Sequence, residues 1–190
     1  MKKILITGGA CAGKTSVLNT IRNYLEDSKY EFQIFEEVPT KLISGGITSE
    51  KIGKMEFVEL IIKNQIANER NCQGKEIIIF DGSPIDSMKF ITREEFEKFA
   101  RKYNTSFNKI INGYDGIIFL ETVAKKFPEL YSNENNLARL TDVDAAVTRN
   151  DKLFQIYNEN LNVYLIKPEK NMEIKNNNVI NTIKKILSEE

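Results

Sequence analysis

The stretch Gly8-Gly9-Ala10-Cys11-Ala12-Gly13-Lys14-Thr15 constrains this chain more than any other. It has the spacing G-x-x-x-x-G-K-T, which joins a strand, a tight loop and a helix in that order. Before it, Lys3-Ile4-Leu5-Ile6-Thr7 is a short apolar run of the kind that makes a buried parallel strand. After it, Val17, Leu18, Ile21, Tyr24 and Leu25 fall at helical spacing. Such a loop curls backbone N–H groups around a β-phosphate, and the helix N-terminus adds partial positive charge. The expected nucleotide contacts therefore run from Gly8 through Ser16. Lys14 is expected to neutralise the β- and γ-phosphates, and the Thr15 hydroxyl to hold Mg²⁺.

Along the rest of the chain, apolar strand runs alternate with helical patterns. Strands are expected at 32–36, 76–81, 116–120 and 162–166, and helices at about 54–72 and 172–188. Thr92-Arg93-Glu94-Glu95 reads as a capping box that opens a further helix through Phe96, Phe99 and Tyr103. Five short apolar strands separated by helices imply an α/β fold with a parallel sheet flanked by helices. Ligands of such sheets gather at the carboxyl ends of the strands. The chain is expected to form a single domain over 1–190, and its 190 residues are enough for one good core.

The chemistry is narrowed by what the chain lacks. It has no histidine, which excludes imidazole-based nucleophilic triads and imidazole zinc sites. A general base must then be a carboxylate, or failing that Lys, Tyr or Cys. Lysine and arginine balance aspartate and glutamate at 27 each, so no electrostatic case exists for nucleic acid or membrane partners. Cys11 and Cys72 form neither a scaffold nor a metal motif and are expected as free thiols in a cytoplasmic protein.

The strand ends supply the remaining candidates. Asp81 closes the apolar run 77–80 in the manner of a Walker B aspartate and is expected to hold Mg²⁺ with Thr15. The same residue also starts a good turn, Asp81-Gly82-Ser83-Pro84. Glu37, after the second strand, is the candidate base for an acceptor hydroxyl, with Glu36 ranked below it and Thr40 beside it as an acceptor contact. Asp86 either touches the acceptor or caps a helix. The polar segment from about 121 to 160 reads as a lid, with Arg139 and Arg149 as the residues that would meet developing charge. Ion pairing on a solvated helix is the competing role for both arginines.

These residues together resemble a family. Ile6-Thr7-Gly8-Gly9 with Cys11-Ala12-Gly13-Lys14-Thr15, Glu37 with Thr40, and Leu42-Ile43-Ser44-Gly45-Gly46-Ile47 look like the small P-loop AAA-domain proteins. The likeness continues through Asp81 and Asp86, Leu130-Tyr131, Glu134-Asn135-Asn136 with Arg139, and Lys175. That family includes the ribosylnicotinamide kinase part of bacterial NAD regulators and the GTP-binding proteins named for a TRPL-translocation defect. The resemblance implies a Mg²⁺-dependent nucleotide site, a kinase-like sheet of strand order 2-3-1-4-5 and an arginine-bearing lid. Where related proteins tend to carry Asp-Arg-Gly, this chain has Asp81-Gly82-Ser83.

Other P-loop classes fit the residues less well. Asn108-Lys109-Ile110-Ile111 lacks the Asp of a guanine-reading Asn-Lys-x-Asp. Gly82, not a water-orienting Glu, follows Asp81. The leading expectation is a kinase that moves the γ-phosphoryl of ATP, or of GTP as alternative donor, to a nucleoside- or nucleotide-like acceptor. The alternative is a nucleotide-dependent switch with slow hydrolysis and a protein partner.

Overall fold

A computed structural model describes residues 1–72, 74–131 and 142–188. In chain order the elements are β1 (Lys2–Gly8), α1 (Lys14–Glu26), β2 (Phe32–Phe35), α2 (Val38–Ser44), α3 (Ser49–Ile52), α4 (Lys54–Asn71) and β3 (Ile77–Asp81). They continue with a 3₁₀ helix Pro84–Lys89, α5 (Arg93–Lys102), α6 (Phe107–Ile111), β4 (Gly116–Leu120) and two short 3₁₀ turns, Val123–Lys125 and Pro128–Leu130. Last come α7 (Val143–Tyr157), β5 (Val163–Ile166) and α8 (Met172–Ser188). The five strands form one parallel sheet in the order β2-β3-β1-β4-β5, as the family resemblance implied. Burial follows position in that order. β3 is buried through Phe80 and β4 throughout, whereas every residue of β2, at one edge, keeps some exposure. Continuous apolar strands are what a sheet covered on both faces requires. No described helix is long and apolar enough to cross a membrane.

The contacts divide the chain into two compact units. The first comprises Met1–Leu5 and Glu31–Tyr114. Its core joins β3 to Val58, Ile61, Ile62 and Ile66 of α4, with Phe96 of α5 and Phe107 of α6 also buried. Phe35 stacks on Phe80 at 5.3 Å between ring centroids, and Tyr114 meets Phe80 edge-on at 5.9 Å. The capping box expected at Thr92 is present. Its side chain accepts the Glu95 N–H, and the Glu95 carboxylate accepts the Thr92 N–H.

This unit also holds a carboxyl group in a hostile place. Glu69 of α4 lines a cavity of about 160 Å³ with Lys3, Arg70 and Tyr114, and the Tyr114 hydroxyl donates to it. Burial pushes the Glu69 carboxyl up from 4.5 to about 7, against the opposing pull of Tyr114 and Lys3. A carboxyl raised in the folded state favours folding below its unfolded value, and that advantage is lost as pH rises through 7. The whole rise is worth at most roughly 3–4 kcal/mol, and water at the partly exposed edge of Glu69 reduces the expected effect to ~2 kcal/mol. Urea unfolding of wild type and Glu69→Gln should therefore show the variant gaining about 2 kcal/mol on wild type between pH 5 and pH 8. A difference that stays constant with pH would remove Glu69 as its source.

The second unit comprises Ile6–Tyr30 and Asp115–Glu190. Its core takes Val17, Ile21 and Leu25 from α1, all of β4, and Val179, Ile183 and Ile186 from α8. Phe119 of β4 packs on Phe154 at 5.1 Å and on Tyr157 at 6.3 Å, which seats α7. Residues 143–157 of the segment expected to act as a lid are thus helix, buried through Ala146, Asn150, Leu153 and Tyr157. That spacing is a helical stripe, but the asparagine within it breaks the apolar pattern a sequence reader looks for.

Candidate active site

The phosphate loop belongs to the second unit and is built by local backbone geometry. Gly13 caps α1 in a left-handed conformation, with φ 74° and ψ 23°, and Cys11 is left-handed too, with φ 52°. The Gly9 N–H donates to the Leu120 carbonyl at 3.2 Å, which ties the start of the loop to the end of β4. Gly9 leaves no room for a side chain, since a Cβ there would lie 2.6 Å from Asn150 Oδ1. Lys14 Nζ folds back to 3.5 Å from the Gly9 carbonyl oxygen. Thr15 and Ser16 are exposed at the first turn of α1. Gly8, Gly9, Ala10, Cys11, Ala12, Gly13, Lys14, Thr15 and Ser16 therefore form one continuous loop and helix start. Cys11 and Cys72 are both free thiols.

Three residues support this loop from outside it. Thr122 Oγ1 donates to the Ala10 carbonyl at 2.6 Å, and Lys175 Nζ donates to the Ala12 carbonyl at 2.8 Å. Asn150 Oδ1 accepts the Thr122 N–H at 3.0 Å, and its Nδ2 donates to Asp151 Oδ1 at 3.0 Å. Thr122, Asn150 and Lys175 are all buried. Sequence reasoning passed over Thr122 and Asn150, which no motif marks, and registered Lys175 only as part of a family likeness. A lysine near the start of the last helix, in a chain with a phosphate loop, was the one available signal.

In the first unit, the ends of β2 and β3 carry the carboxylates. Asp81 is the last residue of β3 and is partly exposed. Glu37 is the N-cap residue of α2, and the Thr40 hydroxyl donates to its Oε2 at 2.7 Å. Glu36, by contrast, pairs with Lys41 at 3.1 Å on an open surface, the bland role its position allowed. Asp86 has a structural task. Its carboxylate accepts the Ser83 N–H at 3.3 Å in a capping box that opens the 3₁₀ helix after β3. Between Asp81, Glu36 and Gln65 lies a cavity of only about 10 Å³, room for one water and not for a nucleoside.

Gly82, which follows Asp81, sits in a backbone conformation that suits glycine. Its φ is +83°, in the left-handed region that favours glycine. A Cβ there would lie 3.0 Å from Asp86 Oδ2 and 3.4 Å from Gln65 Nε2. The turn after β3 is thus shaped around glycine at position 82, where the family resemblance implied an arginine. Of the two lid candidates, Arg149 is exposed on α7, and Arg139 lies outside the described residues.

The donor chemistry fits Mg²⁺. Thr15 offers a hydroxyl oxygen and Asp81 a carboxylate, both hard donors. A magnesium ion that keeps its waters and binds phosphate oxygens asks the protein for only one or two such ligands.

Comparison with known proteins agrees with this reading of the fold. The sequence pattern of the AAA domain family matches residues 3–175. No curated protein matches the chain. Among solved structures, deoxyadenosine kinase from M. mycoides with bound dATP is similar at a TM-score of 0.62 and 16% identity, covering 96% of this chain and 99% of that one. The same enzyme with products dCMP and dCDP gives 0.65 and 18%, covering 97% and 99%. Shikimate kinase from Acinetobacter baumannii in complex with shikimate gives 0.55 and 16%, covering 100% and 95%. At these identities the likeness is one of fold. With the family pattern spanning nearly all of the chain and the phosphate loop formed in the structure, the chain belongs to the AAA domain family of small P-loop proteins.

Proposed function

We propose that the protein is a single-domain, Mg²⁺-dependent phosphotransferase that moves the γ-phosphoryl group of ATP to a small nucleoside- or nucleotide-like acceptor. GTP is the alternative donor. The observation that carries this reading is the phosphate loop itself. Left-handed residues at Cys11 and Gly13 lead into α1, at the end of the strand that is central in a 2-3-1-4-5 sheet. The solved structures of similar fold include a deoxyadenosine kinase and a shikimate kinase, which favours transfer to a small molecule over motor work.

Each residue has a role in this reading. The loop amides and the N-terminus of α1 bind the β-phosphate, and Lys14 holds charge on the β- and γ-oxygens. Thr15 and Asp81 hold Mg²⁺, which neutralises charge on the phosphate oxygens when bound. Glu37 accepts the proton of the acceptor hydroxyl, and Thr40 orients its carboxylate by donating to Oε2. Arg149 and Arg139 approach the transferring group as it loses its bond, where most phosphoryl-transfer catalysis lies. Asp86 shapes the acceptor side through the turn it caps.

The glycine-built turn at Gly82 gives some weight to a second reading, a nucleotide switch with slow hydrolysis and a protein partner. One experiment separates the two. Mg-ATP is incubated with the protein and a pool of nucleosides, nucleotides and nicotinamide riboside, and the γ-phosphoryl group is followed by mass spectrometry. Phosphate on an organic acceptor is the expected result and identifies the acceptor in the same run. ATP binding with release of inorganic phosphate alone would overturn the kinase reading in favour of the switch.

A further inference from the structure

Two carbonyl groups of the phosphate loop, those of Ala10 and Ala12, are held by side chains from distant parts of the sequence. In a trans peptide unit, the C=O of one residue and the N–H of the next point in opposite directions. Thr122 Oγ1 grips the Ala10 carbonyl and Lys175 Nζ the Ala12 carbonyl, from residues 112 and 163 positions away. Holding those two oxygens outward turns the N–H groups of Cys11 and Gly13 the other way. Cys11 and Gly13, with φ of 52° and 74°, each follow a clamped carbonyl. Backbone amides gathered by such turns make a concavity that attracts anions.

Lys175 is an unusual choice for a clamp. The residue is only 1% exposed, and burying an ammonium group is costly unless something compensates its charge. A threonine suffices at Ala10, so a charge at Ala12 needs a reason beyond hydrogen bonding. A bound triphosphate on the other side of the same peptide would supply one.

We propose that Thr122 and Lys175 are positioning residues of the phosphate loop, and that Lys175 is a buried cation whose charge is compensated by the triphosphate held on the opposite side of the Ala12–Gly13 peptide. The proposal rests on the reading that the loop binds a nucleoside triphosphate. The charges that act on Lys175 are Lys14 from α1, Glu121 from the end of β4 and Glu169 from the segment before α8. Burial, and then the repulsion of Lys14, lower its pKa from 10.5 to about 8, with Glu121 and Glu169 opposing. Without nucleotide a large share of Lys175 is therefore neutral above pH 8. Arrival of the phosphates favours the charged form, so binding takes up a proton.

The test is titration calorimetry of Mg-ATP into the full chain at pH 8.5, in two buffers of different ionisation enthalpy. Wild type is expected to take up roughly 0.7 proton per ATP bound. Lys175→Met should bind about tenfold more weakly with no uptake, while melting no lower than wild type, because a well-packed apolar side chain replaces a buried charge. Lys175→Arg keeps a permanent charge and should retain affinity within about threefold while losing the uptake. Thr122→Val should weaken binding about fivefold and keep the uptake, since it removes the neutral clamp, along with the bond that Oγ1 accepts from the Ala124 N–H, and leaves Lys175 in place. Wild-type affinity in Lys175→Met, or unchanged uptake in either Lys175 variant, overturns the proposal alone. If wild type binds no ATP, the nucleotide reading falls and this one with it.

Discussion

Lys14→Ala is expected to lower kcat/KM for phosphoryl transfer by roughly 10²–10³-fold or more and to weaken ATP binding, with little change in melting temperature. The side chain is partly exposed at the first position of α1, and its ammonium reaches only to 3.5 Å from the Gly9 carbonyl. Removing it gives up one long contact, to the Gly9 carbonyl, so the fold has little to lose. The loss falls on the ligand instead. A triphosphate brings several negative charges to a loop whose amides supply only partial positive charge, and Lys14 is the loop's own full cation. Its attraction grows as charge builds on the oxygens in transfer, which is why turnover should fall further than affinity. Steady-state kinetics, ATP titration and a melting curve on the same preparation check all three parts. Transfer retained at wild-type rate would remove Lys14 from the mechanism.

What the sequence revealed and what it hid divide along the range of the interactions. The phosphate loop is local: eight adjacent residues and two flanking runs specify it, and it was legible in full. β4 was read to the residue because a fully buried parallel strand is a closed apolar run. The runs expected at 32–36, 76–81 and 162–166 each exceed the observed strand by one residue; Glu36 turns to Lys41, while the Glu76 and Asn162 carbonyls still accept the Lys2 and Ile117 N–H groups at 2.7 and 2.9 Å. α7 falls inside the segment expected as a lid because that segment is polar and rich in charge, and Asn150 interrupts the helix's buried stripe. That asparagine is buried because it accepts from Thr122 and sits against Gly9, contacts that follow from the fold and not from the local pattern. Thr122 is hidden for the same reason, and Lys175 shows only through the family likeness. Asp86 was legible as a choice of two roles, and the structure gives the capping one. Gly82 looked like a missing arginine, and its left-handed backbone shows a turn made for glycine.

Glu37→Gln is expected to reduce transfer to the acceptor by roughly 10²–10⁴-fold while ATP binds as before. The substitution changes one property at a time. Glutamine has the shape of glutamate, and its Oε1 can still accept the Thr40 hydroxyl that now donates to Glu37 Oε2 at 2.7 Å. The start of α2 should stay as it is, because the Glu37 side chain makes no capping bond there and its carbonyl already accepts the Lys41 N–H. Basicity is what disappears. An amide cannot take the acceptor's proton, so the hydroxyl must attack while still protonated. Glu36→Gln is the matched control, one residue away. Its carboxylate pairs with Lys41 in open solvent, where such a pair contributes little, so transfer should remain within about twofold of wild type. Single-turnover transfer, with ATP affinity measured in parallel, separates the outcomes. If Glu37→Gln transfers as fast as Glu36→Gln, the base lies elsewhere. In a chain without histidine, the next candidates would be the remaining carboxylates at the strand ends, Asp81 first, and then Lys, Tyr or Cys. Asp81 could serve only if it did not have the Mg²⁺-holding role proposed for it, so the failure of this one variant would also overturn that proposed role.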